Sequence, residues 1–288
     1  MEGSHVHEVA IVGAGFGGLG MAIRLRQAGI DDFVLLERDR EVGGTWWANS
    51  YPGCQCDIPS NLYSFSFAPK HDWTRAYPLR DEIVAYLHDC AERFGVLEHV
   101  RLDSELLGAT WDAERQCWEL ETPDGTVAAR VLVSAAGLLS EPWTPELPGL
   151  ERFRGNFFHT ARWDHGDDLA GKRVAMLGSG ASAVQVVPHI QPLAGRLHLF
   201  QRTPPWVVPH TDHEVSPRMR ELYRRVPALQ RLARAGVYAL RESVAPAVIS
   251  DSRILKLAEL NARLHLKRQV RDPELRRRLT PDYEIFCK

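Results

Sequence analysis

The sequence predicts an α/β fold built from two strand–glycine loop–helix units in tandem, followed by a helical segment. Three observations carry that prediction. Apolar runs lead straight into glycine-rich loops twice, at residues 9–12 before Gly13-Ala14-Gly15-Phe16-Gly17-Gly18 and at residues 172–177 before Gly178-Ser179-Gly180-Ala181-Ser182-Ala183. A proline run, Ser140-x-Pro142-x-x-Pro145-x-x-Pro148-Gly149, separates the two units and fixes an extended path between them. Beyond His210, leucines recur at helical spacing among arginines.

Size and composition agree. With 288 residues, 44% of them hydrophobic, the chain can bury the cores of about two domains. A net charge of −2 gives no reason to expect a polyanionic partner, and nucleic acid is not expected. The five cysteines are scattered and odd in number, which suits a reducing cytoplasm with free thiols. No secretory signal is expected, because Glu2 and Glu8 precede the apolar stretch 9–23 and glycines interrupt it. No membrane span is expected either; the most apolar stretch of the tail, 235–249, carries Arg241 and Glu242.

In the first unit the order is strand, G-x-G-x-x-G, helix, as a Rossmann-like dinucleotide-binding domain requires. Gly13 permits the tight turn, Gly15 lets a pyrophosphate approach the backbone, and Gly18 lets the helix pack close to the strand. Residues 19–28 read as the helix, whose N-terminus then offers its unpaired N–H groups to phosphate. Residues 33–36 form the second strand and Glu37 ends it, 19 residues after Gly18. A carboxylate there accepts ribose hydroxyls and repels a 2′-phosphate, so the ligand is FAD or NAD.

Residues 62–67 read as strand or loop, and 78–94 as an amphipathic helix with Ile83, Tyr86, Leu87 and Phe94 on one face. A hairpin is expected over 109–112 and 117–122, with a turn at Pro123-Asp124-Gly125 and a buried strand at 131–134. Cys54-x-Cys56 lacks a second pair or a histidine cluster, so no metal is expected and both read as small loop residues.

The second unit repeats the pattern, with Ala183 in the place of the third glycine and 197–200 as the following strand. Aligning the units puts Gln201 where Glu37 stands, so the ribose-directed acid is missing. Arg202 follows at once, able to pair bidentately with a 2′-phosphate, and Thr203 adds a hydroxyl donor. The second site should therefore prefer NADPH to NADH.

Between the loops lies Phe153-x-Gly155-x-x-x-His159-x-x-x-Trp163-Asp164. This run resembles the fingerprint of type I Baeyer–Villiger monooxygenases, which carry one loop for FAD and one for NADPH. Trp163 favours that branch over the related flavin monooxygenases. Gly43-Gly44-Thr45-Trp46 and Tyr51-Pro52-Gly53-x-x-x-Asp57 resemble the flavin-site loops of the same family. The resemblance implies that Asp57 lies near the reactive edge of the flavin and holds a cationic partner, and that His159 serves domain movement and nicotinamide handling rather than general base catalysis.

The expected FAD set is Gly13, Ala14, Gly15, Phe16, Gly18, Glu37, Gly44, Thr45, Trp46, Asp57 and Tyr63. The expected NADPH set is Gly178, Ser179, Gly180, Ala181, Ser182, Ala183, Gln185, Arg202 and Thr203. Domains are expected at 1–149 (FAD), 150–209 (NADPH, first part) and 210–288 (helical insertion). The arginine-rich tail reads as the solvated outer face of that insertion, with Arg220, Arg224, Arg225, Arg231 and Arg234 among its charges, and Thr280-Pro281-Asp282-Tyr283 as a stretch inside it.

The resemblance implies insertion of one oxygen atom of O2 into a ketone through a flavin peroxide, giving an ester or lactone. The alternatives are N- or S-oxygenation of an amine or thioether, and a non-catalytic nucleotide-binding fragment. The family's chain continues past the insertion and carries its active-site arginine there, so the sequence reads as truncated at the C-terminus. Weak or no turnover is expected of it alone, and a partner chain could supply the missing part. In the intact enzyme, Arg202→Ala should raise KM for NADPH far more than KM for NADH; equal effects in steady-state kinetics would refute the assignment.

Overall fold

The computed structural model describes residues 5–139, 141–243 and 253–285. Ser140 of the proline run, the end of the apolar stretch 235–249, and residues 286–288 lie outside the described residues. The chain divides into two compact units, Met1–Tyr51 with Arg80–Asp164, and Pro52–Leu79 with His165–Lys288. Residues 52–79 thus group with the second unit and 150–164 with the first.

The first unit is a six-stranded sheet. Strand β1 (Val6–Val12) is flanked on both sides by parallel neighbours, β2 (Phe33–Leu36) and β6 (Gly125–Ser134). Beyond β2 lies β3 (Val100–Arg101), also parallel, and beyond β6 an antiparallel meander of β5 (Cys117–Thr122) and β4 (Gly108–Asp112). The order β3-β2-β1-β6-β5-β4 bears out the predicted α/β fold with its parallel-rich sheet. β6 reaches further than the 131–134 strand expected, because its first half pairs β5 while its second half pairs β1.

Strand alternation sorts the core into two faces. Ala10, Val34, Leu36, Leu120, Val127 and Ala129 form one buried cluster. Ile11 faces the other way, toward helix α1 (Phe16–Gln27), where Leu19, Ala22 and Ile23 are buried at i, i+3, i+4 spacing. Each fully buried Leu or Ile contributes about 1.5–3 kcal/mol. Helix α3 (Arg80–Arg93) buries Ile83, Tyr86, Leu87, Cys90 and Ala91. Its expected fourth anchor, Phe94, is only half-buried, because the helix stops one residue earlier. Asp81 and Glu82 in its first turn and Arg93 in its last oppose the helix dipole favourably.

The turn between β1 and α1 is set by close approach. Gly13 has φ +98°, and a Cβ on it would lie 2.6 Å from the Ala135 carbonyl oxygen. A Cβ on Gly18 would lie 1.8 Å from the Gly13 carbonyl oxygen. Both obstacles are backbone, so neither can swing aside.

The second unit holds a parallel pair, β7 (Arg173–Leu177) and β8 (Arg196–Phe200), joined through helix α4 (Ala181–Ile190). Val186 and Ile190 of α4 are buried with Ala183. The stretch 62–67 is turn rather than strand. Helices α5 (Pro217–Arg225), α6 (Pro227–Glu242), α7 (Arg253–Gln269) and α8 (Pro273–Arg278) follow. Proline at the start of three of them needs no N–H partner there, and Ser216 and Asp272 cap α5 and α8 with their side chains.

Most of the arginines here lie on the solvated face expected, with Arg224, Arg225, Arg231, Arg277 and Arg278 exposed; Arg234 and Arg276 are turned to other work. Arg234 donates to the carbonyls of Asn61 and Leu62 at 3.0 and 2.9 Å, and Arg276 to those of Val270 and Arg271. Arg224 and Arg225 pair with Glu221, and Arg277 and Arg278 with Glu274, at i, i+3 and i, i+4 spacing. The leucine stripe is partly open: Leu232, Leu257 and Leu260 are exposed. No helix among the described residues is long and apolar enough to cross a membrane.

Two glycine substitutions should have opposite signs in thermal unfolding. Gly18→Ala drives a methyl group into a carbonyl and should cost about 1–3 kcal/mol or more. Gly236→Ala, in the middle of α6 with open space around it, should stabilise by about 0.5–1 kcal/mol. A Gly18→Ala protein that melts like the wild type would contradict the packing described.

Candidate nucleotide cradles

The first cradle begins at Gly15, the N-cap of α1, whose extended backbone carries no side-chain cap; no acidic residue lies in the first turn. The first N–H groups of the helix are thus left to an anion. Gly43 N–H donates to the Ala14 carbonyl at 2.9 Å, and a Cβ on Gly44 would lie 2.9 Å from Gly15 Cα, so a second glycine loop is seated against the first. That loop leads into helix α2 (Thr45–Ala48). Arg80 holds its end, donating from Nε to Trp46 O at 2.7 Å and from Nη2 to Trp47 O at 2.9 Å. Gly13, Ala14, Gly15, Phe16, Gly18, Gly44, Thr45 and Trp46 are thereby gathered within one unit.

Glu37 is buried, with 4% of its surface exposed. One oxygen accepts Ala14 N–H at 2.6 Å and the other Asp39 N–H at 3.0 Å. A carboxylate offers about four lone-pair sites, so two remain for hydroxyl donors. The acid expected to meet a ribose therefore also closes the glycine loop, a role that spacing alone did not reveal.

The second cradle has the same plan. Gly178 N–H closes on the Phe200 carbonyl at 2.8 Å, and Gly180 is the uncapped, extended N-cap of α4, again with no acid in the first turn. Space is open beside Gly178 and Gly180, where a Cβ would meet nothing within 4 Å. Ala181 and Ser182 begin α4, and Ala183 is buried. Ser179 Oγ donates to the Thr203 carbonyl at 3.4 Å, which ties the loop to the end of β8. Arg202 is exposed just past that end, and Gln201 is half-buried. Both helix termini suit a diphosphate by their chemistry: backbone donors, no competing cap, no repelling carboxylate.

Gln185 serves the fold of its own unit. Its amide nitrogen donates to Gln55 O at 2.8 Å while its amide oxygen accepts Gln55 N–H at 3.2 Å. A Cβ on Gly53 would lie 2.8 Å from Gln185 O and 2.3 Å from the His189 ring, so the loop 52–57 lies directly on α4. Asp212 fixes the other side of that loop, accepting from Gln55 Nε2 at 2.8 Å, Arg75 Nε at 2.7 Å and Tyr77 N–H at 3.2 Å. Burial pulls the Asp212 carboxyl up, but the hydrogen bonds from Gln55 and Arg75 outweigh it and hold the group below its ordinary value. The loop presents Asp57 exposed to solvent, with Tyr63 half-buried further on, both in the second unit. Burial pushes the Cys56 thiol up to about 12, which keeps it neutral and fits its reading as a packing residue. Gln55, Arg75, Asp212 and Arg80 carried no sequence signal, because their partners lie 22 to 157 residues away.

In the fingerprint, Phe153 lies over Gly155, where a Cβ would meet its ring at 2.6 Å. His159 caps the short helical turn Thr160–Arg162, its Nδ1 accepting Ala161 N–H at 3.1 Å. Trp163 meets Phe158 edge-on at 5.1 Å, and Asp164 is exposed. An apolar cavity of about 210 Å³ lies in the second unit between α4, the segment 204–207, α7 and residues 279–281. Tyr283 Oη donates to Pro204 O at 3.0 Å and Trp206 Nε1 to Tyr283 O at 2.9 Å, closing one side.

Two glycine cradles thus stand in tandem along the chain, each with the chemistry to take a diphosphate. A family model, Pyridine nucleotide-disulphide oxidoreductase, matches residues 10–245. The chain belongs to that family. It is 52% identical over its whole length to a Baeyer-Villiger monooxygenase of Streptomyces coelicolor, of which it covers 56%. It superposes with a TM-score of 0.85 on oxidized steroid monooxygenase bound to NADP, at 32% identity, covering 98% of this chain and 61% of that one. An OTEMO complex with FAD and NADP gives 0.83 at 25% identity, covering 98% and 62%. The chain thus spans little more than half the length of its curated relative. These matches bear out the resemblance drawn from the 153–164 run.

Gln185→Leu removes both bonds to Gln55 while keeping the side-chain volume. Hydrogen exchange at the Gln55 amide should speed up by at least about tenfold, the equivalent of about 1.4 kcal/mol, with β1 amides unaffected. An unchanged rate would show that the loop is held without this staple.

Proposed function

We propose that this chain forms the FAD and NADPH sites of a Baeyer–Villiger-type monooxygenase, acting on a ketone and O2 to give an ester or lactone. One observation carries the reading: two uncapped helix N-termini, at Gly15 and Gly180, stand on either side in sequence of the Phe153–Asp164 fingerprint. When bound and reduced by NADPH, FAD supplies the oxygen-activating chemistry.

The protein's own part is to bind and orient. The α1 N-terminus holds the FAD pyrophosphate, and Glu37 takes the ribose hydroxyls with its two remaining acceptor sites. Because Glu37 also holds Ala14 N–H, ribose recognition and loop closure depend on one buried carboxylate. In the second cradle the α4 N-terminus takes the NADPH pyrophosphate. Arg202 pairs with the 2′-phosphate and Thr203 adds a hydroxyl, in place of the acid that would repel it. Asp57 offers a carboxylate from a loop fixed by Gln185 and Asp212, which suits a residue that positions a cationic partner.

FAD titration followed by visible absorbance tests the first half of this reading. The wild type should bind FAD with one equivalent per chain, and Glu37→Ala should weaken binding by about tenfold or more, since it removes an acceptor and opens the loop. Failure to bind FAD would overturn the assignment. Product analysis with the full-length enzyme on a cyclic ketone and a thioether tests the second half. Sulfoxide without lactone would replace the reading with S-oxygenation.

A further inference from the structure

We propose that His5, His7 and Asp32 form a site for a divalent transition-metal ion of the zinc class, at the start of β1. His5 directly precedes β1 and His7 is the second residue of that strand, and the two rings meet edge-on with centroids 4.6 Å apart. Asp32 directly precedes β2. Its main-chain oxygen accepts Glu8 N–H at 3.1 Å and Val9 N–H at 3.4 Å, so the sheet itself holds the carboxylate beside the two rings. One carboxylate oxygen, Oδ1, accepts from His5 Nε2 at 2.8 Å and from His7 Nδ1 at 2.9 Å. One ligand atom from each of the three residues lies within 4.8 Å of the others, the one such group among the described residues.

The geometry is close to what a metal needs. Zinc bonds to imidazole nitrogen and carboxylate oxygen of about 2.0–2.2 Å place tetrahedral ligands about 3.3 Å apart. The two nitrogen–oxygen distances lie within about half an ångström of that value, and a turn of the exposed His5 ring would set all three ligand atoms around one ion, which replaces the shared protons. Two imidazoles with one carboxylate suit zinc and its neighbours; calcium and magnesium prefer oxygen alone, and no thiolate is present to select softer ions. Three protein ligands leave a fourth position for water, and the site is open to it: the His5 side chain is 65% exposed and that of Asp32 38%. The neighbouring Asp31 is engaged by Arg26 at 3.2 Å and is not a competing ligand. The His7 main chain is held by its register opposite Ala129 of β6, while His5 lies just before the strand and is free of that pairing. A bound ion would tie the first strand to the turn that enters the second, and by binding the folded chain alone it would stabilise that edge of the first unit.

Equilibrium dialysis of untagged, FAD-loaded protein against zinc tests the site. One tight zinc per chain is expected, with affinity lowered at least about tenfold in His5→Gln, His7→Gln and Asp32→Asn, since loss of even an outer partner of a metal ligand costs about 10–100-fold. Zinc should raise the melting temperature of the wild type and leave that of the His5→Gln/His7→Gln double variant unmoved. Because His5 precedes β1 and is exposed, His5→Gln by itself keeps the fold and isolates the ligand effect. The proposal is overturned if zinc uptake is the same in the double variant, if no saturable equivalent binds, or if equimolar magnesium displaces the zinc.

Discussion

The contact of Gly18 with the Gly13 carbonyl is the constraint from which the first unit follows. No side chain separates the two, so α1 can start directly beneath the end of β1. The dipole and unpaired N–H groups of the helix then point out of the sheet's carboxyl edge, where a ligand of an α/β sheet binds. The second glycine loop depends on the first, because Gly43 bonds to Ala14 and Gly44 touches Gly15. Glu37 completes the arrangement by accepting Ala14 N–H from the adjacent strand end. The loop that suits a diphosphate is thus made largely of main chain, with glycine at each point of close approach.

The second unit reaches a similar cradle with less burial. Nothing crowds Gly178 or Gly180; β7 keeps alternate residues exposed, and β8 exposes every residue but Leu197. Polar bonds over long sequence separations supply order instead. Gln185 holds Gln55 from both ends, and Asp212 gathers Gln55, Arg75 and Tyr77. Partly buried hydrogen bonds to a charged group are worth about 1.5–3 kcal/mol each, enough to define one path for a loop that lacks regular structure. The Asp57 carboxylate sits at the end of that path.

The element types were legible in advance because they arise locally. Strand, glycine loop and helix follow from residue spacing at 9–28 and 172–190, and the 109–122 hairpin from alternation and its turns. The family was legible for the same reason: the Phe153-to-Asp164 run and both loops are contiguous patterns. Phe94 and the extended β6 show the limit, since each end was set by what the neighbouring chain left room for.

Sequence by itself determined the order of the cradles, the acid at the end of β2 and the arginine at the end of β8, because each is a matter of residue type at a fixed offset. Only the tertiary structure decided that residues 52–79 join the second unit, that Glu37 closes its own loop, that Arg234 serves backbone carbonyls, and that two histidines meet Asp32. Those outcomes depend on hydrogen bonds between segments 23 to 173 residues apart. Such pairings have no period to read, since any buried donor is satisfied by whichever acceptor the folded chain brings within reach.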